Sequence, residues 1–488
     1  MLSNRNKPQG LLTFIPVALV LVLLCFIPVL RCFVLAFKQY QPMLGMAGSS
    51  WVGLENFQAF FSSPQFVRVI QNTLMISGLS LASGVCWVFA LTAGISSVRN
   101  RWIQAFLLGI AALPAAVPAG LWAGTLSEAA ALHGQYSRLG AVVYNVLAFS
   151  PYGVIAGVLA CRDGYDRRRA LCAALGYACV GLMLLLSPSP DYMTSAYSPS
   201  TYETMDVLDT FTYRRGLLES DYSMGAAIAG AKIFFQLCTG AAGLAGLLLL
   251  QRDGRSANPV SGHPRTWLWS LLLLIPALAA GLVFARWSGG ADILAEAAAQ
   301  SALHSSLIIG LGTALVLAVL TCLAARALQG GSRTAAVVLA VAAACSGNVL
   351  VWYLQARIMG LVNTNAGVIL GLVPHCAALS FLLWLSLDRE SSGGMRQFIG
   401  KAAPGLLAMS GLVFSMAFGQ TVFARALLSQ RELLPLGVLL DEVTAQAGAA
   451  PYSYLTLMLI PAAVAFSAVF AAAVLSRRSR AGEPPAAG

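Results

Sequence analysis

Residues 11–36 read LLTFIPVALVLVLLCFIPVLRCFVLA, an unbroken apolar run whose one charged residue is Arg31. A helix needs about 20 apolar residues to cross the hydrocarbon core of a bilayer. Stretches of this kind recur near residues 69–96, 103–126, 139–161, 170–188, 224–250, 266–286, 303–325, 334–357, 366–387, 403–424 and 454–476. The expected fold class is therefore all-α, a polytopic membrane protein with about twelve transmembrane helices. The first run is too long for the apolar region of a signal peptide, and Arg31 and Lys38 follow without a small-residue cleavage site. It is expected to remain as an anchor.

Composition agrees. Of 488 residues, 58% are hydrophobic and 10% charged, with a mean hydropathy of +0.76. Soluble domains carry about 25% charged residues, so most of this chain cannot face water. The net charge of +11 reports topology rather than a nucleic-acid groove. With the N-terminus inside, the inward segments collect nineteen of the 30 Lys and Arg, including Arg99, Arg101, Arg167, Arg168, Arg169, Arg477, Arg478 and Arg480. That is the positive-inside bias, and it places both termini in the cytoplasm of a multi-pass plasma-membrane protein.

One polar, turn-rich segment interrupts the spans, QRDGRSANPVSGHP at residues 251–264. It follows the sixth span, so both flanking halves start inside and run as parallel repeats. The expected division is a first half at 1–252, a cytoplasmic linker at 253–265, a second half at 266–480 and a disordered tail at 481–488. Two outward loops are long, residues 38–68 and 189–223. One holds Trp51, Phe57, Phe60 and Phe61; the other holds Asp191, Asp206, Asp209 and Asp221. Interfacial anchoring and a docking surface for an external partner both account for them.

Chemistry-bearing motifs are scarce. The 10 cysteines and 4 histidines are scattered singly, without metal-ligand or disulfide spacing. No Ser/His/Asp set or paired intramembrane carboxylates point to an enzyme. Lys232, toward the outer end of its span, and Arg31 are read as snorkelling to the interface. The shortage of intramembrane carboxylates disfavours proton or sodium coupling. Tyr144, Asn145, Asn348, Trp352 and Gln420 are polar candidates for a transport path, although packing and interhelical hydrogen bonding account for them more simply.

The stretch FKQYQPMLGMAGSSWVGLENFQAFFSSPQFVRVIQNTLMIS, residues 37–77, resembles permease subunits of carbohydrate-uptake ABC transporters of the polysaccharide and oligosaccharide type. The family's outward W-V-G-L-x-N-F segment corresponds to residues 51–57, with Trp51, Gly53, Asn56 and Phe57, and its N-T-L to residues 72–74. YETMDVLDTFTYRRG at 202–216, with Asp209 and Tyr213, is similar to the loop before the last span of the same subunit. The second half resembles the partner subunit through HSSLIIGLGTALVLAVLTCLAARAL at 304–328, CSGNVLVWYLQARIMGLVNTNAGVIL at 345–370 and ALLSQRELLPLGVLLDEV at 426–443. Ser305 stands where that subunit usually has Asn. The resemblance implies two type I ABC importer permease subunits, each of six helices, fused end to end.

In that family each subunit carries a cytoplasmic E-A-A-x-x-D-G coupling motif that docks on an ATPase. By register the first coupling loop here is ACRDGYDRRR at 160–169, which keeps Asp163 and Gly164 but lacks the Glu. The second is DRESSGGMRQFIGK at 388–401, which keeps Glu390, Gly393 and Gly394 but no Ala-Ala or Asp-Gly pair. Glu128-Ala129-Ala130 and Glu296-Ala297-Ala298 share the motif's first letters, yet both lie outward in this topology. No Gly-x-x-x-x-Gly-Lys-Ser/Thr loop occurs, so no cofactor is expected on this chain and ATP is left to partner subunits.

The resemblance thus implies an importer permease for a sugar or oligosaccharide. Its expected partners are ABC ATPase subunits and an extracellular solute-binding protein docking at Trp51, Gly53, Asn56, Phe57, Asp209 and Tyr213. Two alternatives stay open: a non-transporting relative with degenerate coupling loops, and a secondary transporter without an ATPase.

Overall fold

A computed structural model describes residues 7–130, 136–161, 165–197, 201–252, 266–290, 297–387, 394–447, 450–451 and 457–478. The described part is almost wholly helical. Its main elements in the first half are α1 (Leu12–Ala36), the two-residue strands β1 (Lys38–Gln39) and β2 (Ser50–Trp51), α2 (Glu55–Phe61), α3 (Phe66–Ser96), α4 (Arg101–Ala116), α5 (Ala119–Ala130), α6 (Ser137–Ala160), α7 (Arg167–Met183), α8 (Pro190–Ser195), α9 (Leu208–Tyr213) and α10 (Tyr222–Arg252).

The second half holds α11 (Thr266–Val283), α12 (Ala297–Gln329), α13 (Arg333–Ala344), α14 (Val349–Ile358) and α15 (Asn365–Leu385). It ends with α16 (Met395–Phe418), α17 (Val422–Leu427), α18 (Leu436–Ala447) and α19 (Leu459–Arg478).

Among the described residues, nine helices are long and apolar enough to cross a membrane, and eleven if each of two bent pairs counts as one span. The remaining expected span, near residues 170–188, corresponds to α7, which has 17 residues. The bent pairs are α4 with α5, turning by 78°, and α13 with α14, turning by 99°. Both are the third span of their half, and both bends have causes in the chain. Val117, ahead of Pro118, is held extended at φ −79° and ψ 127°, because proline denies its predecessor the helical region. At the second bend Gly347 takes φ +80°, a region that L side chains rarely enter, and Asn348 follows in an extended conformation.

Leu278 and Leu282 are 64% and 68% exposed, and Leu311 and Leu315 61% and 69%. Four-residue spacing puts each pair on one face of its helix. Apolar stripes of this kind are costly in water and neutral in lipid, which makes this a multi-pass membrane protein. Between helices, contact rests on small residues. A Cβ at Gly157 of α6 would stand 2.5 Å from Thr92 Oγ1 of α3, and one at Gly411 of α16 would stand 2.5 Å from Ala468 Cβ of α19. Bulkier residues at either position would push the helices apart.

Candidate functional site at the outward junction of the two halves

The loop after α1, expected to face outward, folds back on that helix. β1 pairs antiparallel with β2, Lys38 opposite Trp51, and Gly53 turns the chain at φ +61°. Asn56 then donates from Nδ2 to the carbonyls of Ala36 at 2.9 Å and Lys38 at 3.1 Å. A helix C-terminus leaves carbonyls without partners, and Asn56 meets one of them. Phe37 stacks on Trp51, with centroids 5.7 Å apart, and tilts against Phe57 at 5.3 Å. Of these expected docking residues, Trp51 offers the broad free face, at 63% exposed; Asn56 and Phe57 hold the loop together.

The loop before α10 departs from expectation in one respect. Asp209 is not offered to solvent; it is buried and paired with Lys232 of α10. Lys232 is 1% exposed, so it does not snorkel. A buried ammonium needs a counter-charge more than it needs the interface. Burial raises the Asp209 carboxyl above its usual range, opposed by Lys232. Asp206 is buried too, accepting from Arg214 at 3.0 Å. Burial raises its carboxyl, with Arg214 and Thr210 opposing. Tyr213 is half-buried. Arg31 likewise bonds inward rather than snorkelling freely, donating to Gln355 Oε1 of α14 at 2.7 Å.

One contact occurs twice. At the start of α3, Thr73 Oγ1 accepts from the backbone N–H of Leu208, 135 residues on, at 3.0 Å. At the matching place in α12, Ser306 Oγ accepts from the N–H of Leu436, 130 residues on, at 2.8 Å. The preceding residues repeat the pattern: Asn72 Nδ2 donates to the carbonyls of Glu203 and Asp206, and Ser305 Oγ donates to that of Glu432. Each half thus ties its late outward loop to its second span.

Those two loops meet. Asp191 Oδ1, on α8, accepts from Thr421 N at 3.0 Å, Thr421 Oγ1 at 2.8 Å, Val422 N at 2.9 Å and Gln420 Nε2 at 3.2 Å. It caps α17 of the other half, where free N–H groups and the helix dipole favour a carboxylate. Nearby, Asp441 Oδ2 of α18 accepts from Ser195 Oγ at 2.9 Å and from Arg425 Nη2 at 3.0 Å. Burial lifts the Asp441 carboxyl from 3.8 to about 6, against the pull of Arg425 and Ser195. Beneath this contact Asp209, Tyr213, Asn348 and Val422 help to line a cavity of about 10 Å³, enough for one water and far too small for a sugar ring.

Of the proposed path residues, Asn348 lines that cavity and Gln420 bonds to Asp191. Trp352 donates from Nε1 to the Gly367 carbonyl at 2.8 Å, Asn145 donates to Ser80 Oγ at 3.2 Å, and Tyr144 stacks on Tyr192 at 4.7 Å. The last three are engaged in hydrogen bonds or ring stacking within the fold.

Of the expected coupling residues, Asp163, Gly164, Glu390 and Gly393 lie outside the described residues, as do the linker at 253–265, the tail at 481–488 and the side chains of Glu128 and Glu296. Gly394 sits at the N-cap of α16. Within the stretch 160–169, the expected first coupling loop, Asp166 caps α7, its Oδ1 accepting from Arg168 N at 2.8 Å, while Arg169 Nη1 donates to the Ala160 carbonyl at 3.1 Å. Sequence reading passed over Asp166, although an Asp just ahead of a helical run is an N-cap signal.

No family model matches the chain. Over 81 residues, 17% of its length, it is 36% identical to the polygalacturonan/rhamnogalacturonan transport system permease protein YteP of Bacillus subtilis. Over that stretch the chain is related to a polysaccharide transport permease. A second relative is Protein LplB of the same organism, 39% identical over 77 residues, or 15% of this chain. These matches span about a quarter of the relatives' own length, 25% and 24%. Among solved structures, a bacterial ABC transporter involved in the import of the acidic polysaccharide alginate aligns at 22% identity, over 50% of this chain and 94% of that one. The TM-score is 0.39, too low to carry an argument. The same transporter in complex with an alginate pentasaccharide-bound periplasmic protein gives the same values.

Proposed function

We propose that this chain is the permease component of an ABC importer for a sugar or oligosaccharide, with two permease subunits joined in one polypeptide. The likeness to a polysaccharide transport-system permease carries the reading. The repeated Thr73–Leu208 and Ser306–Leu436 contacts support a division into two equivalent halves, as do bends in the third span of each half. On this reading the substrate path runs between the halves, and the Asp191 and Asp441 contacts close it on the outward side. Separate ATPase subunits bind ATP and dock on the two inward loops, and an extracellular solute-binding protein delivers substrate near Trp51. Both termini are cytoplasmic.

On this reading access would alternate by parting the contacts around Asp191 and Asp441. Hydrogen bonds around these two carboxylates are among the contacts between the halves, and a rigid-body movement of one half against the other would break them without unfolding either. Solubilisation from native membranes and capture of the tagged chain tests the reading. An ATPase subunit should be recovered, and uptake should stop on ATP depletion. Uptake that survives depletion, with no ATPase recovered, would favour the secondary transporter. Recovery of neither uptake nor an ATPase would favour the second reading, a non-transporting relative, which the incomplete coupling motifs at 160–169 and 388–401 support.

A further inference from the structure

A cleft of about 340 Å³ lies between the outer end of α1 and α14, roofed by the loop that follows α1. Arg31, Leu35, Tyr40, Gln355, Arg357 and Ile358 are among its lining residues. Two arginines therefore line one pocket with apolar walls. A guanidinium offers five N–H donors, yet among the described side chains Arg31 bonds to the neutral Gln355 alone. Among the described residues neither arginine is paired with a carboxylate. An arginine inside a span is costly unless something meets its charge. Leu30 and Val34, on the same stretch of α1, are 64% and 39% exposed. This places the cleft beside the lipid-facing surface at the C-terminal end of α1, which is the outer end on the topology proposed above.

We propose that this cleft binds the headgroup of an anionic phospholipid of the outer leaflet. Arg31 and Arg357 hold the phosphate, Tyr40 lies beside it, and Leu354 and Ile358 meet the first acyl carbons. Because one wall is α1 of the first half and the other α14 of the second, the bound lipid bridges the two halves.

Native mass spectrometry of the purified full chain tests this, with dioleoyl-phosphatidylglycerol and dioleoyl-phosphatidylcholine as probes and galacturonate as a soluble carboxylate competitor. The wild type should retain phosphatidylglycerol in preference to phosphatidylcholine. Retention should fall about ten-fold or more in R31Q/R357Q, fall less in R31K/R357K, and stay unchanged in R215Q, whose arginine pairs with Glu219. If the double variant is misfolded, R357Q alone, at an exposed position, should still show a fall. Equal retention of the two lipids, or of phosphatidylglycerol by wild type and glutamine variants, overturns the proposal. Displacement of the lipid by millimolar galacturonate overturns it as well, and assigns the arginines to a sugar carboxylate instead.

Discussion

The carboxylate of Asp191 accepts a hydrogen bond from the backbone N–H of Val422 at 2.9 Å, across 231 residues of sequence. The two residues belong to different halves, and the bond caps α17 at the point where the outward loops meet. Removing the side chain in D191A should leave Thr421 and Val422 N–H without their acceptor. A lost cap costs about 0.5–2 kcal/mol. Hydrogen exchange at residues 421–425 should therefore quicken several-fold, with little change in α3 or α6. Unchanged exchange there would mean that Asp191 is not what holds α17.

The buried pair of Lys232 and Asp209 allows a sharper comparison. K232M strands a buried carboxylate and should destabilise the protein by about 3–5 kcal/mol. In K232M/D209L both charges are gone, and most of the loss should be recovered. Thermal unfolding by fluorescence-detected size exclusion reads both variants. A double variant no better than K232M would mean that the pair has a role beyond neutralising itself.

Asp441 has a pH signature. Burial raises its folded-state carboxyl from 3.8 to about 6, so between those values the folded state binds the proton more tightly than the unfolded chain does. Its contribution is thus full below about pH 4 and is lost as pH rises through about 6. Arg425 and Ser195 bond to it, and Asp191 repels it. Relative to D441N, wild type should lose stability from pH 4 to pH 6 and run parallel above. Melting curves that stay parallel across the whole range would contradict this.

Gly120 and Asp441 form one packing unit. A Cβ at Gly120 would stand 1.6 Å from Asp441 Oδ1, so G120A must displace the carboxylate from Arg425. The expected cost is about 1–3 kcal/mol. In a D441A background the methyl group has room, and the same substitution should cost less than about 0.5 kcal/mol. Additive effects of the two substitutions would separate the sites.

The spans were legible in the sequence because transmembrane helices announce themselves by length and hydropathy alone. Their internal bends were less so. Pro118 and Gly347 are visible as breakers, but each sits inside an apolar run that reads as one span. The pairing of Lys232 with Asp209 was missed for another reason. The partners are 23 residues apart on different elements, and no periodicity links an outward-loop carboxylate to a lysine in the next span. Asp191 was seen as one of four loop carboxylates and nothing more, since the groups that donate to it lie in the other half. The motif around Asn56 was recognisable by resemblance, while its local work became clear from the carbonyls it meets at Ala36 and Lys38.

On the proposed reading one chain supplies both permease halves. The most direct measurement is the mass of the complex released intact from membranes. One copy of this chain with two ATPase subunits is the expected stoichiometry. Two copies of this chain for every two ATPase subunits would contradict the claim, because each chain would then serve as a single half.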